Sequence, residues 1–160
     1  MVEPLMLVVY RLIRIQIVDP RLPEFRAMLQ AGEEYGAALY RAESNHYLDV
    51  ETLCRPEMHF FGAFVDDVAQ GCGGFWAHDD YAEIKRLWVC PTARGLGLSH
   101  KLMDEIEALA KRKGFSVARL ETGIRQPEAT ALYEKRGYRY VERFGDYKPD
   151  PLSVFMEKAL

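Results

Sequence analysis

Two glycines lie beside an arginine in the stretch Arg94-Gly95-Leu96-Gly97-Leu98-Ser99. Glycine lets the backbone take positive φ and approach a ligand closely, and the apolar periodicity after this turn predicts a helix. The first amides of a helix have no intrahelical acceptor and lie at the positive end of its dipole. Such a turn can hold a diphosphate, to which Arg94 adds a fixed positive charge. The alternative is an ordinary strand-to-helix turn with an exposed arginine.

Two better-known phosphate-binding loops are excluded. A dinucleotide fingerprint requires a third glycine, and His100 stands at that position. A Walker loop requires Gly-Lys followed by Ser or Thr, which is absent from this stretch.

The turn instead resembles the coenzyme A signature of the GNAT superfamily of N-acetyltransferases, Q/R-x-x-G-x-G/A. The chain has Arg94-x-x-Gly97-x-Ser99 after Val89-x-Pro91, with serine as a small departure at the last position. A second stretch, Gln126-x-x-Ala129-x-x-Leu132-Tyr133-Glu134-x-x-Gly137-Tyr138, resembles the later motif N-x-x-A-x-x-L-Y-x-x-x-G-F of the same superfamily. Here Gln126 replaces Asn and Tyr138 replaces Phe. Two motifs in the correct order make a chance match improbable.

The resemblance implies acetyl-CoA as donor and no metal. It also implies a set of residues that bind the cofactor: Leu87, Trp88, Val89, Arg94, Gly95, Leu96, Gly97, Leu98, Ser99, Gln126 and Tyr133. In the fold that it implies, two parallel strands splay apart, and the backbone of residues 87–89 binds pantetheine and the oxyanion.

Acetyl transfer to an amine requires a base for the ammonium proton and an acid for the thiolate leaving group. The resemblance implies that Tyr133 is the acid. Without the motif, Tyr133 would be interpreted as a core residue, because it shares a predicted buried helix face with Ala129 and Leu132. Glu83 matches a catalytic glutamate of the superfamily's histone-acetylating members and is the first candidate for the base. An ion pair with Lys85 or Lys101 is an equally good interpretation of Glu83. Glu121 on the next strand is the second candidate for the base, and ordered water is the third.

The acceptor pocket of this superfamily forms from the first helical region and the last loop, here residues 35–47 and 144–150. The residues expected to contact the acceptor are Tyr35, His46, Glu121, Phe144 and Tyr147. Five acidic side chains could make the pocket attractive to a cationic amine: Glu33, Glu34, Glu43, Asp49 and Asp146. The alternative is that these carboxylates form a solvated surface.

The elements that position these residues follow from hydrophobic periodicity. Strands are predicted at 12–18, 58–65, 68–77, 82–89, 115–122, 138–142 and 152–157. Helices are predicted at 22–40, 48–54 and 98–113, and another begins at Pro127 and ends at Gly137. Gly32 and Gly36 are expected to weaken, split or kink the first helix. The fold class is therefore mixed α/β, with a mostly antiparallel central sheet flanked by helices. The strands beginning at 82 and 115 should be parallel, because a helix crosses between them.

Length and composition fit one domain over residues 1–160. The formal net charge of −3 gives no electrostatic support to a nucleic-acid or membrane partner. Cys54, Cys72 and Cys90 show no C-x-x-C spacing, which favours a reducing compartment and argues against structural zinc. No apolar run reaches about 18 residues, and Met1 to Tyr10 does not resemble a signal peptide. A cytoplasmic location is expected.

The function expected is acetyl-CoA-dependent N-acetylation of a small amine or an amino-acid-like substrate. A non-catalytic acyl-CoA-binding regulatory module and a protein N-acetyltransferase are the alternatives. An exposed closing strand could pair across a two-fold axis to form a homodimer.

Overall fold

The computed structural model describes residues 9–160, so most of the stretch Met1 to Tyr10 lies outside the described residues. In chain order the elements are β1 (Ile13–Ile17), α1 (Pro23–Leu39), α2 (Val50–Leu53), β2 (Met58–Val65), β3 (Val68–Ala77), β4 (Ala82–Val89), α3 (Leu98–Arg112), β5 (Val117–Gly123), α4 (Pro127–Lys135), β6 (Arg139–Tyr140) and β7 (Ser153–Ala159). The seven strands form one sheet in the order β1-β2-β3-β4-β5-β7-β6.

The sheet is antiparallel except at its centre. β1 to β4 pair antiparallel in sequence order, and β7 lies antiparallel between β5 and β6. β4 and β5 are parallel, with α3 crossing between them. The predicted mixed sheet is confirmed. β6 pairs antiparallel with the closing strand β7, and homodimer formation stays a prediction.

Helices cover both faces of the sheet. The apolar stripe of α3 packs against one face and comprises Leu98, Leu102, Met103, Ile106 and Ala110. Tyr133 of α4 belongs to the same core cluster. On the opposite face, Phe25, Met28 and Leu29 of α1 form a second cluster with residues of β2 and β3. The gap in the sheet described below is therefore flanked by helices on both sides.

The first helix is continuous, contrary to the expectation that its glycines would split or kink it. Both glycines allow close packing instead. A Cβ on Gly32 would lie 3.7 Å from the Trp88 ring, and a Cβ on Gly36 would clash with the Tyr47 hydroxyl. The loss of helix propensity at these positions is thus offset by tertiary contacts over β4.

β4 carries a bulge beside the predicted cofactor-binding segment. Lys85 pairs with Gly74 and Trp88 with Cys72, so that two residues of β4 oppose one residue of β3. The extra residue, Arg86, has a φ of 62°, in the left-handed region that is uncommon for a side chain of this size. Its side chain donates to Glu33 of α1 at 2.8 Å. The bulge therefore turns both Lys85 and Arg86 towards the α1 side of the sheet.

β4 and β5 pair only at their first residues, Ala82 with Ala118 and Glu83 with Arg119. β5 stays paired with β7 as far as Gly123, whereas β4 continues without a partner on its β5 side within the described part of the chain. The predicted splay is confirmed, and it leaves backbone groups of β4 free to bind a ligand.

Within residues 9–160, no helix combines the length and the apolar character needed to cross a membrane.

Candidate active site

A cavity of about 170 Å³, here called the cleft cavity, lies where β4 and β5 separate. Its lining includes seven of the predicted site residues: Tyr35, His46, Leu87, Trp88, Glu121, Gln126 and Tyr133. Glu121 reaches it from β5, and Tyr133 reaches it from α4, which belongs to the α3 side of the sheet. The separation of the strands thus lets groups from both faces meet at one point.

A second and larger cavity of about 1110 Å³, here called the outer cavity, adjoins the first. The two share Ser44, His46, Tyr47 and Lys85 in their linings. Glu83 and Tyr147 also line the outer cavity, together with residues 145–152. The two regions predicted to form the acceptor pocket, 35–47 and 144–150, therefore do come together. Val89, Phe144 and the turn at residues 94–99 line neither cavity.

The glycine turn has the conformation expected of an anion-binding nest. Gly95 and Gly97 have φ of 88° and 76°, and a Cβ on either would lie more than 4 Å from every other described residue apart from its chain neighbours. Among residues 9–160, no backbone carbonyl accepts from the amides of residues 95–99. Arg94 donates to the Val89 carbonyl at 3.3 Å, and its guanidinium lies 5.2 Å from the Trp88 ring centroid. These unpaired amides beside a cation fit a diphosphate.

Tyr133 is 7% exposed. Burial raises the pKa of its hydroxyl, and the charge of Glu121 raises it further. The phenol is therefore protonated at neutral pH and is able to donate a proton into the cleft cavity.

Glu121 lies in the same cavity and has the carboxyl group whose proton affinity is best matched to neutral pH. Burial raises its pKa to about 7, while Ser153 and Lys85 oppose that rise. A carboxyl group with this pKa can exchange a proton near physiological pH, as a general base must.

Glu83 is held by three neighbours. It is 3% exposed, and its carboxylate lies 2.9 Å from Lys85 Nζ. It also accepts from the Tyr147 hydroxyl at 3.0 Å and lies 3.2 Å from His78 Nε2. The ion pair with Lys85, one of the two interpretations of Glu83, is thus present in the structure.

Tyr147 and His46 lie together where the cavities meet. Lys85 Nζ donates to the Tyr147 hydroxyl at 2.7 Å, and the His46 ring meets the Tyr147 ring edge to face at 5.2 Å between centroids. Burial and the charge of Lys85 lower the pKa of His46, which is therefore neutral at pH 7. Phe144 is buried behind Tyr147, with ring centroids 5.6 Å apart.

The expected acidic pocket is not formed. Glu33 is bound by Arg86, Glu34 accepts from Gln30 within α1, and Asp49 caps α2 through the amide of Thr52. Of the five acidic residues, Glu43 and Asp146 line the outer cavity. Arg41, Lys85, Arg125 and Lys148 line it as well, so that positive and negative side chains balance on its walls.

Tyr40 was not found from the sequence, although it lines the cleft cavity. Its hydroxyl accepts from the Arg125 amide at 3.0 Å and donates to Gln126 Oε1 at 3.3 Å. The ring packs over Gly123, where a Cβ would clash with it. No motif marks a tyrosine at the end of the first helix, and only Gly123 at the end of a strand signals a close approach.

Among residues 9–160, no three His, Cys, Asp or Glu side chains converge in a way that could hold a metal ion.

The comparisons with known proteins agree with the geometry. Residues 22–138 match the family model described as "Acetyltransferase (GNAT) family". An IAA acetyltransferase of Azospirillum brasilense is 42% identical over 83% of this chain and 88% of its own length. A putative acyl-CoA N-acyltransferase of Klebsiella pneumoniae is 33% identical, with a TM-score of 0.79 over 92% of this chain and 97% of its own.

A more distant solved structure, the PaiA N-acetyltransferase of Thermoplasma acidophilum in complex with coenzyme A, has a TM-score of 0.71 at 20% identity. The match covers 92% of this chain and 99% of that protein's own chain, and it shows the shared fold. The chain belongs to the GNAT family of acetyltransferases. It is an N-acetyltransferase whose donor is acetyl-CoA.

Proposed function

We propose that the chain acetylates the primary amine of a small molecule by direct attack of the amine on the thioester. The observation that carries the proposal is the pairing of Glu121 and Tyr133, a carboxyl group of pKa about 7 and a protonated phenol, in the lining of one cleft cavity. Two groups with such different proton affinities suit the roles of base and acid. When bound, acetyl-CoA supplies the electrophilic thioester carbonyl.

Glu121 takes the proton of the incoming amine in this mechanism, and Tyr133 donates its proton towards the leaving sulfur. Glu83 is the less suitable base because Lys85 and Tyr147 already occupy its carboxylate. We assign to Glu83 the role of holding Lys85 and Tyr147 in place on the wall of the outer cavity.

The backbone supplies the remaining contacts. Among residues 9–160, β4 has no partner on its β5 side beyond Glu83, so residues 87–89 are free to pair with the pantetheine arm and to donate to the developing oxyanion. The amides of residues 95–99 hold the diphosphate, and Gln126 lies beside the arm in the cleft cavity.

Direct transfer is favoured over transfer through a cysteine acyl-enzyme, because no cysteine lines either cavity among the described residues. The outer cavity, of about 1110 Å³, has the size of a small-molecule site and so supports a small acceptor. A protein N-acetyltransferase would need an open groove for a peptide, and a non-catalytic acyl-CoA-binding module would have no need of the acid and base pair.

The test is release of free thiol from acetyl-CoA in the presence of a panel of primary amines. The panel also includes IAA, because the relative from Azospirillum brasilense is named for it. We expect turnover with at least one small amine, and mass spectrometry should find its N-acetylated product. Tight binding of acetyl-CoA without turnover of any compound would favour the regulatory module instead.

A further inference from the structure

The walls of the outer cavity carry as many basic as acidic side chains. The basic ones are Arg41, Lys85, Arg125 and Lys148, and the acidic ones are Glu43, Glu83, Asp146 and Asp150. A pocket that selects a simple monocation by charge should carry a net negative charge. This balance instead suits a molecule that is itself both positive and negative.

Asp150 and Arg125 are both held in position by hydrogen bonds, and neither has an oppositely charged partner within 4 Å among residues 9–160. Asp150 accepts from the Leu152 amide at 2.9 Å, and its pKa is lowered chiefly by a hydrogen bond from Ser44. Arg125 Nη1 donates to the Leu39 carbonyl at 2.6 Å, and its own amide is bound by Tyr40. By contrast, the Glu83 carboxylate and the Lys85 ammonium neutralise each other.

We propose that the acceptor is an amino acid in the broad sense, carrying a carboxylate as well as its reactive amine, and that Arg125 binds that carboxylate. This inference rests on the proposed N-acetyltransferase function. A guanidinium presents a fork of N–H donors that matches the two oxygens of a carboxylate. With one nitrogen fixed by Leu39, the rest of the fork is available to the outer cavity.

The amine end of such an acceptor belongs near Asp150. Asp150 lines the outer cavity together with His46 and Lys85, which also line the cleft cavity that contains Glu121. It draws the ammonium form towards Glu121, which then removes the proton. A zwitterion would thus place its two ends against Arg125 and Asp150, two charges that are both held in position and without an ion-pair partner among residues 9–160.

Matched pairs of acceptors test the carboxylate site. Each pair consists of an amino acid and its primary amide, for example β-alanine with β-alaninamide, and para-(aminomethyl)benzoate with its carboxamide. In the aromatic pair the two amines have closely similar basicity, so the ratio of kcat/KM for acid and amide isolates recognition of the carboxylate. We expect the ratio to be about ten or more for the preferred pair, since a charge-assisted hydrogen bond changes affinity by about that factor.

The variant Arg125→Gln should lower this ratio to near one, because it removes the charge and keeps an amide donor. A merely structural role for Arg125 would lower kcat/KM for acid and amide alike and leave the ratio unchanged. Arg41→Gln is the control for the loss of one positive charge from the cavity wall, because Arg41 lines the same cavity. It should leave the ratio within about twofold.

Equal kcat/KM for acid and amide in every pair would overturn the carboxylate site while leaving the N-acetyltransferase intact. An equal fall of the ratio in both variants would overturn the assignment to Arg125. If no amine is turned over, the proposed function fails. The carboxylate site is then tested by calorimetric titration of the acid and of its amide, with coenzyme A present. Binding of an acid but not of its amide would support it, and equal or absent binding of both would overturn it.

Discussion

Lys85 Nζ lies 2.9 Å from Glu83 Oε2, and the side chains of the pair are 14% and 5% exposed. Removing one partner of a buried ion pair leaves the other charge uncompensated, at a cost of about 3–5 kcal/mol. We therefore expect Glu83→Gln to lower the free energy of unfolding by about 3 kcal/mol, as measured by urea denaturation. A loss below about 0.5 kcal/mol would show that the pair is not formed in solution.

The pH dependence of kcat/KM should identify the base as Glu121. A base must be deprotonated to act, so a carboxyl group of pKa about 7 makes the rate rise with pH and level off above pH 7. Glu121→Gln should remove this rising limb of the pH profile and lower kcat/KM by about a hundredfold. Glu83→Gln is the matched carboxyl control and should keep the limb. The assignment is wrong if the limb disappears with Glu83→Gln and survives in Glu121→Gln.

Tyr133→Phe should lower kcat by about tenfold to a hundredfold while leaving the affinity for acetyl-CoA unchanged, because only the proton donor is lost. Tyr138→Phe is the matched control. Its ring packs on that of Tyr133 at 5.6 Å between centroids, and its hydroxyl donates to Glu107 away from the cavities. The control should cost about 1–2 kcal/mol of stability without changing kcat. Equal kcat values in the two variants would exclude the acid role.

Gly95→Ala should weaken the binding of coenzyme A by about tenfold, because a methyl group obstructs the close approach of a diphosphate to the turn. Gly114→Ala is a control of similar strain, since the two glycines have φ of 88° and 94° and neither would bring a Cβ within 4 Å of another group. Both variants should lose about 1 kcal/mol of stability from the left-handed conformation. Calorimetric titration with coenzyme A should show weaker binding in Gly95→Ala alone. An equal loss of affinity in both variants would mean that the diphosphate binds elsewhere.

Tyr40→Phe should raise the KM for acetyl-CoA by about fivefold with little change in kcat, because the hydroxyl that orients Gln126 is lost. A double-mutant cycle with Gln126→Ala measures whether the two residues act together. We expect the double variant to be no worse than Gln126→Ala alone. Additive effects of the two substitutions would mean that Tyr40 stabilises the helix end and does not position the amide.

Much of the fold could be predicted from the sequence, because local patterns determine it. The boundaries of β2, β3 and β4 agree with the prediction, because polar turn residues separate the strands and Pro91 follows the last of them. The continuity of α1 could not be predicted, since it depends on Trp88 and Tyr47 packing against Gly32 and Gly36. These contacts are distant in sequence and leave no periodic signal.

The candidate site was predictable where a motif spans it and not elsewhere. Gln126 and Tyr133 belong to one motif and do line one cavity. The charge of the acceptor pocket depends instead on which carboxylates find partners, and Glu33 finds one in Arg86 only through the bulge of β4. Tyr40 was missed for the same reason, because its role arises from the meeting of the ends of α1 and β5.

The bulge at Arg86 is expected to matter more for activity than for folding. Deletion of this one residue would keep Leu87 and Trp88 facing their present core clusters, since an extra residue in a strand shifts the alternation by one. Such a shortened strand would pair with β3 without a bulge, and it would lack the local bend that a bulge introduces. A chain of this kind should still fold, with some loss of stability because the Arg86–Glu33 ion pair is gone, and it should release no thiol from acetyl-CoA.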